Sequence, residues 1–385
     1  MILSDKKILN PGATIGIIGA GQLGKMLAQS AQAMGYLVAT YDPNPNACAF
    51  AVSDWHCTGS FDDEKALLDF ANKVDVLTYE FENVNGELLN KLNRHHYLPQ
   101  GVDLLLTSQD RLKEKAWLNE IGLETAPYRP VNSKEDLLTA LEELGYPAIL
   151  KTTRMGYDGK GQIRLSDPKD LEVEANHLSQ ILASPCILEG FVAFDLEASI
   201  MVNGDLEGNY QCFPVTINRH YQGILAVSET VNPSSLLAQK VAEVGLKVAK
   251  EAGLVGLCGI ECFVCGDKVY VNELAPRPHN SGHLTIEACN FSQFDAHILA
   301  ITGRPLARIR LLSPAIMVNL LGENLNQALK WQMTDPDGFY HLYKKGEAKA
   351  KRKMGHVTYL TKTFDEANYL AGQFEVLKKE AADAE

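Results

Sequence analysis

Residues Lys151 to Gln162, K-T-T-R-M-G-Y-D-G-K-G-Q, place three glycines, three cations and one acid directly after an apolar run. Such a loop can wrap phosphate oxygens with backbone N–H groups while a lysine adds charge, and its glycines permit lid-like closure. An exposed hairpin of ordinary turn residues is the plainer alternative. It is not a Walker A loop, because G-x-x-x-x-G-K-[ST] is absent.

Glu261 and Glu273 lie equidistant from Asp267, in the turn Gly266-Asp267. A hairpin folded about that centre sets the two carboxylates opposite each other on one face. A two-residue turn would break the match, so the spacing predicts a three-residue or bulged turn. Two carboxylates with Asn272 beside them make a hard oxygen site suited to Mg²⁺ carrying phosphates; the alternative is two exposed glutamates on a sheet. Arg277-Pro278-His279-Asn280-Ser281-Gly282-His283 follows at once, a dense polar loop of the kind that positions an anion or a reacting group.

Gly19-Ala20-Gly21-Gln22-Leu23-Gly24 fits G-x-G-x-x-G between strand and helix, with Asp42 ending the next strand. It admits three readings: a dinucleotide site with Asp42 on a ribose, a tight turn needed only for packing, or an anion site for a different phosphorylated ligand. Cys258, Cys262 and Cys265 have the spacing C-x3-C-x2-C, but a strand from Val255 to Cys265 turns the first two to one side and the third to the other, which points to buried apolar thiols. Lys344, Lys345, Lys349, Lys351, Arg352 and Lys353 form a basic run that reads as a solvated surface, or as a source of one or two grips on a phosphate monoester.

The elements that must position these groups form an α/β and α+β multidomain chain. Residues 1–104 alternate short strands with helical patterns (Ala13 to Ile18, Tyr36 to Tyr41 and Val74 to Tyr79 as strands), as in an open parallel sheet. Residues 105–305 begin with a helix from Asp110 to Ile121. They continue through a βαβ-like stretch within a subdomain at about 125–190, then enter an antiparallel sheet interrupted by a helix from Pro233 to Ala252. Residues 306–385 read as a small unit of short strands and turns.

The chain has 385 residues and a formal net charge of -12, with 46% hydrophobic residues. This composition buries sizeable cores, and its sign argues against general nucleic-acid binding. No apolar run approaches a membrane span, and the eight cysteines show no secreted framework, which implies a cytoplasmic setting.

Taken together, the motifs resemble the ATP-grasp superfamily and, within it, the 5-(carboxyamino)imidazole ribonucleotide synthetases. The resemblance rests on residues 19–24, on Gly156 to Gln162, and on Asn272 to His283, N-E-L-A-P-R-P-H-N-S-G-H. It implies an ATP-grasp fold with a Rossmann-like N-terminal domain, a homodimer, and ATP- and bicarbonate-dependent carboxylation of the amine of 5-aminoimidazole ribonucleotide through carboxyphosphate. By position it assigns Arg111, Lys151, Gly156, Tyr157, Asp158, Gly159, Lys160, Gly161, Gln162, Asn272 and Glu273 to the ATP phosphates and their surroundings. Glu189, Gly190, Phe191 and Val192 go to the adenine hinge, Glu197 to the ribose, and His220 to a further nucleotide contact. Glu261 and Glu273 would ligate Mg²⁺ or Mn²⁺. Gln22, Glu82, Tyr157, Asp158, Lys345 and Arg352 would hold the ribonucleotide, with Arg277, His279, Asn280 and Lys160 at the reacting groups. Met155 replaces a glycine common in this family, and Lys25 an arginine. Rival readings are another ATP-grasp ligase acting on glycinamide ribonucleotide or biotin, an NAD-dependent oxidoreductase, and a non-catalytic ATP-binding module.

Overall fold

A computed structural model describes residues 7–154 and 161–383, with side chains to residue 374. The N-terminal strands β1 (Thr14–Ile18), β2 (Leu37–Asp42), β3 (Trp55–Thr58) and β4 (Val76–Tyr79) form a parallel sheet in the order β3-β2-β1-β4. Strands β1 and β4 are largely apolar and nearly wholly buried, as a parallel sheet covered on both faces requires. The expected strand-turn-helix order holds, with the helix Gln22–Ala33 leaving directly after the glycine turn.

The second sheet comprises β5 (Tyr128–Val131), β6 (Ala148–Thr152), β7 (Gln162–Leu165) and β8 (Cys186–Gly190), ordered β5-β8-β6-β7. The βαβ-like reading of this stretch is corrected here: all three pairings are antiparallel. Short apolar strands separated by helices look alike in sequence whichever way they pair.

The third sheet, of nine strands among the described residues, carries most of the chemistry. Its members are β9 (Leu196–Gly204), β10 (Tyr210–Cys212), β11 (Thr216–Tyr221), β12 (Ile224–Thr230), β13 (Gly256–Cys265), β14 (Lys268–Ala275), β15 (Ala315–Leu321), β16 (Phe339–Leu342) and β17 (Lys353–Leu360). They run in the order β14-β13-β9-β11-β12-β15-β17-β16, with β10 on β9. The helix Leu236–Ala252 is capped by Ser235, whose side chain accepts from the Ala238 N–H, and ends at the left-handed Gly253. Its stripe Ala238, Val241, Val244 and Val248 packs on Ala198, Ile200, Val202, Cys258, Ile260, Cys262 and Val264. Alternation along β9 and β13 therefore sends Glu197, Ser199, Glu261 and Phe263 to the opposite face. Cys258 and Cys262 lie in the core, and Cys265 faces away from it.

The reading of the C-terminal stretch as short strands and turns is corrected in two respects. β15 pairs with β12, so these strands extend the central sheet. Two helices are also present, Leu325–Gln332 and Phe364–Asp383, the second packing through Ala367 and Ala371 against Val227, Ile316 and Val318.

Candidate functional site

The carboxylate pair is built by the β13–β14 hairpin, in which Glu261 stands directly opposite Glu273. Cys265 pairs with Lys268, so the turn is the two-residue Gly266-Asp267 and not the expected three-residue or bulged one; the irregularity lies further along the ladder. The compensating extra residue is Asn272, where the register shifts between Glu261 and Cys262. The bulge brings Glu261, five residues before the turn, opposite Glu273, six residues after it. Burial first, then Glu273, pushes Glu261 up to about 7. Two facing carboxylates fit a divalent cation that keeps several of its own waters and takes phosphate oxygens as further ligands. Among the described residues, no group of three or more His, Cys, Asp or Glu surrounds a common metal position.

Cations line one side of this pair. Asp110 caps the helix Arg111–Glu120, and Arg111 reaches Glu273 at 3.6 Å. One turn further along, Lys115 is 1% exposed and lies 3.3 Å from Glu189, whose other oxygen accepts from Lys151 Nζ at 2.8 Å. Burial alone would raise Glu189, but Lys151 and Lys115 outweigh it and hold the carboxyl down to about 2. Lys151 is itself lowered, by burial. These shifts do not describe a symmetric pair; one carboxylate between two ammonium groups makes Glu189 the anchor. The Glu189 carboxylate faces the two lysines, while its backbone runs into the expected hinge segment Gly190 to Val192. At the hinge itself, the Gly190 N–H donates to Pro127 O, the Phe191 N–H donates to Pro147 O, and Val192 O accepts from Phe194 N–H. Glu197 forms an ion pair with His220, raising the histidine against the effect of burial.

The reacting loop sits between these groups and the N-terminal sheet. Arg277 Nε donates to Glu82 at 2.7 Å, and a second guanidinium nitrogen contacts the same oxygen. His279 Nε2 lies 3.3 Å from Glu261, and burial together with Arg277 keeps the ring neutral. Asn280 is buried. Glycine at 259 leaves room for this loop, since a Cβ there would lie 2.6 Å from His279 Cβ.

The glycine turn resolves its three readings locally. The Ala20 N–H donates to Asp42 at 2.8 Å and the Gly21 N–H to Glu80 at 2.7 Å. These two donors are thus engaged by protein carboxylates, and Asp42 braces the turn. Gly19 has φ +99 and a Cβ there would lie 2.8 Å from Glu80, which only glycine tolerates. Gln22 begins the following helix. Lys345, lowered to about 8 mainly by burial, stands within the electrostatic reach of Glu80 and Arg352. Arg352 donates to Glu347 O at 3.1 Å. Lys25 donates to Leu342 O at 3.0 Å and to Tyr343 O at 3.4 Å, tying the first helix to the C-terminal strands.

Gly156, Tyr157, Asp158, Gly159 and Lys160, with Met155, lie outside the described residues; Gly161 and Gln162 follow at the start of β7. Sequence reasoning missed Lys115, although its i, i+4 spacing from Arg111 signals a shared face. It also missed Glu80 and Glu114; burial pushes the latter up to about 8 while its carboxylate accepts from the Leu274 N–H.

Comparison with known proteins agrees with this geometry. The ATP-grasp domain family matches residues 116–294, the ribonucleotide synthetase preATP-grasp domain residues 12–107, and the phosphoribosylaminoimidazole carboxylase C-terminal domain residues 315–369. The N5-carboxyaminoimidazole ribonucleotide synthase of Bacillus subtilis is 42% identical, covering 94% of this chain and 95% of the relative. That of Staphylococcus aureus strain MRSA252 is 43% identical over 91% of this chain and 93% of its own. An N5-carboxyaminoimidazole ribonucleotide synthetase solved as its ADP complex superposes with a TM-score of 0.92 at 44% identity, over 97% of this chain and 99% of the other. The Aspergillus clavatus enzyme, solved with ADP and 5-aminoimidazole ribonucleotide, gives 0.87 at 29% identity, over 96% and 99%. The chain belongs to the N5-carboxyaminoimidazole ribonucleotide synthases, ATP-grasp ligases of purine biosynthesis.

Proposed function

We propose that the chain phosphorylates bicarbonate with ATP and transfers the resulting carboxyl group to the exocyclic amine of 5-aminoimidazole ribonucleotide. The observation that carries this reading is the position of the Glu261/Glu273 pair. On one side Arg111 contacts it, next to the Lys151–Glu189–Lys115 cluster; on the other, His279 contacts it from the loop that also carries Arg277. Phosphoryl transfer is largely a matter of alignment and charge neutralisation, and this is what the arrangement offers.

Arg111 and Lys151 bind the ATP phosphates, Glu197 and His220 border the ribose, and the Gly190 to Val192 segment forms the adenine hinge. Tyr157, Asp158 and Lys160 belong to the loop proposed to close over the reacting groups. Glu261 and Glu273, with Asn272 beside them, hold Mg²⁺, which supplies charge neutralisation on the transferred phosphoryl group. Arg277 and His279 border the bicarbonate and the acyl phosphate, and Asn280 fixes the loop. The ribonucleotide lies against Gln22 and Glu82, its phosphate held by Lys345 and Arg352. Protein groups that exclude water protect the labile acyl phosphate. No helix among the described residues is long and apolar enough to cross a membrane; a homodimer in a reducing cytoplasm completes the proposal.

The test is ADP release with Mg-ATP and bicarbonate, with and without 5-aminoimidazole ribonucleotide. Strong stimulation by that nucleotide, lost in Glu273→Gln, is expected. Stimulation instead by glycinamide ribonucleotide with formate would retain the ligase chemistry and overturn the substrate.

A further inference from the structure

His279 sits at the end of a chain of buried polar side chains whose hydrogen bonds run in one direction. Ser228 Oγ donates to Asn218 Oδ1 at 2.8 Å, which leaves the other end of the amide, Nδ2, as the donor to Ser199 Oγ at 2.9 Å. Ser199 passes its hydroxyl proton to Ser281 Oγ at 2.6 Å, while Thr216 Oγ1 lies 2.8 Å from Ser199. Ser281 has then accepted one bond, and its own hydroxyl hydrogen remains for His279 Nδ1 at 2.9 Å. The backbone N–H of Ser281 also points at Nδ1, at 3.4 Å, and a backbone amide can only donate. Both contacts require a lone pair on Nδ1. The ring proton therefore sits on Nε2, which faces an acceptor, Glu261 Oε1, at 3.3 Å.

The chain is built into rigid elements. Ser199, Asn218 and Ser228 belong to adjacent strands β9, β11 and β12, and Ser199 lies across from Glu261 in the β9–β13 pairing. Ser199, Ser228 and Ser281 are fully buried. The backbone of His279 is clamped by the Gln293 side chain, whose Oε1 accepts from the His279 N–H at 2.9 Å and whose Nε2 donates to the His279 carbonyl at 2.8 Å. Gln293 thus fixes where the ring stands, and Ser281 fixes which nitrogen carries the proton.

We propose that Ser281 is a positioning residue that locks His279 as the Nε2–H tautomer, so that the ring presents a hydrogen-bond donor to the oxygens of the reacting acyl phosphate and is not the base for the amine. This inference rests on the reaction assigned above. With the proton already on Nε2, no tautomer exchange is needed when the substrate oxygens take the place of Glu261 Oε1 as its acceptor, so the donor is in the right form as charge develops on them.

The test is ¹⁵N NMR of histidine-labelled protein without substrates, with the His279 signals assigned by their loss in His279→Gln. The expected result is the Nε2–H tautomer in the wild type and a larger share of the Nδ1–H tautomer in Ser281→Ala, where the 2.9 Å hydroxyl contact is gone and only the weaker 3.4 Å backbone contact remains. The variant is also expected to lose about ten-fold or more in kcat while the KM for ATP stays within about two-fold. A wild-type ring protonated on Nδ1, or on both nitrogens, overturns the proposal, as does a tautomer unchanged in Ser281→Ala. The wild-type spectrum decides even where that variant fails to fold. Because the tautomer is read without substrates, it stands apart from the substrate assignment: carboxylation of a different amine would change the reaction and leave this result intact.

Discussion

Replacing Glu189 by glutamine removes the one carboxylate that lies between Lys151 and Lys115, at 2.8 and 3.3 Å. Lys115 is 1% exposed and Lys151 is 9% exposed, so neither ammonium can recover its hydration by turning outward. Breaking a buried pair by removing one partner costs about 3–5 kcal/mol, because an uncompensated charge stays behind. At roughly 2–4 °C per kcal/mol for a domain of 150–250 residues, the nucleotide-free protein should melt about 6–20 °C lower. Two further signatures separate this from general damage. Lys151 is already lowered by burial and can shed its proton, so the deficit of Glu189→Gln should shrink as pH rises from 7 to 9. Saturating Mg-ATP should also restore more stability to the variant than to the wild type, because phosphate oxygens replace the lost carboxylate. Differential scanning fluorimetry at several pH values and nucleotide concentrations measures all three. A variant that melts within about 2 °C of wild type without nucleotide would refute the reasoning.

His297, whose pKa burial depresses to about 3, should contribute to acid sensitivity alongside the buried His283 and His356. Its Nδ1 accepts from the Leu257 N–H at 3.1 Å and its Nε2 contacts Thr78 Oγ1 at 2.8 Å, joining the central sheet to the N-terminal one. The unfolded chain takes up this proton below about pH 6.5 and the folded one only near 3, so the contribution is lost as pH falls through that window, at up to about 1.4 kcal/mol per unit. Urea midpoints at pH 5 and 7 should therefore differ less in His297→Gln than in wild type. Gly19→Ala forces a side chain into φ +99 and against Glu80, and should cost at least about 1–2 kcal/mol, read as a lower urea midpoint. Arg277→Ala should lower kcat by roughly 10²–10³ with little change in the KM for ATP; a change confined to that KM would place Arg277 on the nucleotide.

Legibility in the sequence followed the range of the physics involved. Strand-helix periodicity located β1, β2, β4 and the helix Leu236–Ala252 because burial of one face is a local property of the chain. The pairing of Glu261 with Glu273 was legible from symmetry about Asp267, but the bulge at Asn272 was not, because a two-residue turn and a register shift can add to the same sum. Pairing direction in β5 to β8, and the joining of β15 to β12, depend on partners distant in sequence and have no local signal. The helix Phe364–Asp383 is different: Ala367, Leu370, Ala371 and Phe374 repeat at helical spacing, and that signal was readable. Among site residues, the motifs brought out the polar loop and the paired carboxylates Glu261 and Glu273. Lys115, Glu80 and Ser281 act through other residues, and a supporting group carries no motif of its own.

The conspicuous cations of the site are stored against protein carboxylates: Arg111 against Glu273, Lys151 against Glu189, and Arg277 against Glu82. A pocket for ATP, bicarbonate and a phosphorylated nucleotide must attract several negative charges, yet bare cations at this depth would destabilise the empty fold. Pairing solves the second problem and weakens the first, since each phosphate contact must displace or share an existing ion pair. Net affinity is then a difference between two arrangements of the same charges. The partners are not equally free to yield, however. Glu189 is buried between two lysines, so Lys151 can turn toward a phosphate while Lys115 keeps the carboxylate neutralised. Glu273 has its own claim on the metal, which would release Arg111 in the same event. Glu82 has no second cation among its described contacts, and it faces the proposed ribonucleotide site. Arg277 should therefore be the last of the three to be freed, and only when the ribonucleotide arrives to take Glu82 from it. That ordering would keep the acyl phosphate from forming in full contact with Arg277 before its acceptor is in place.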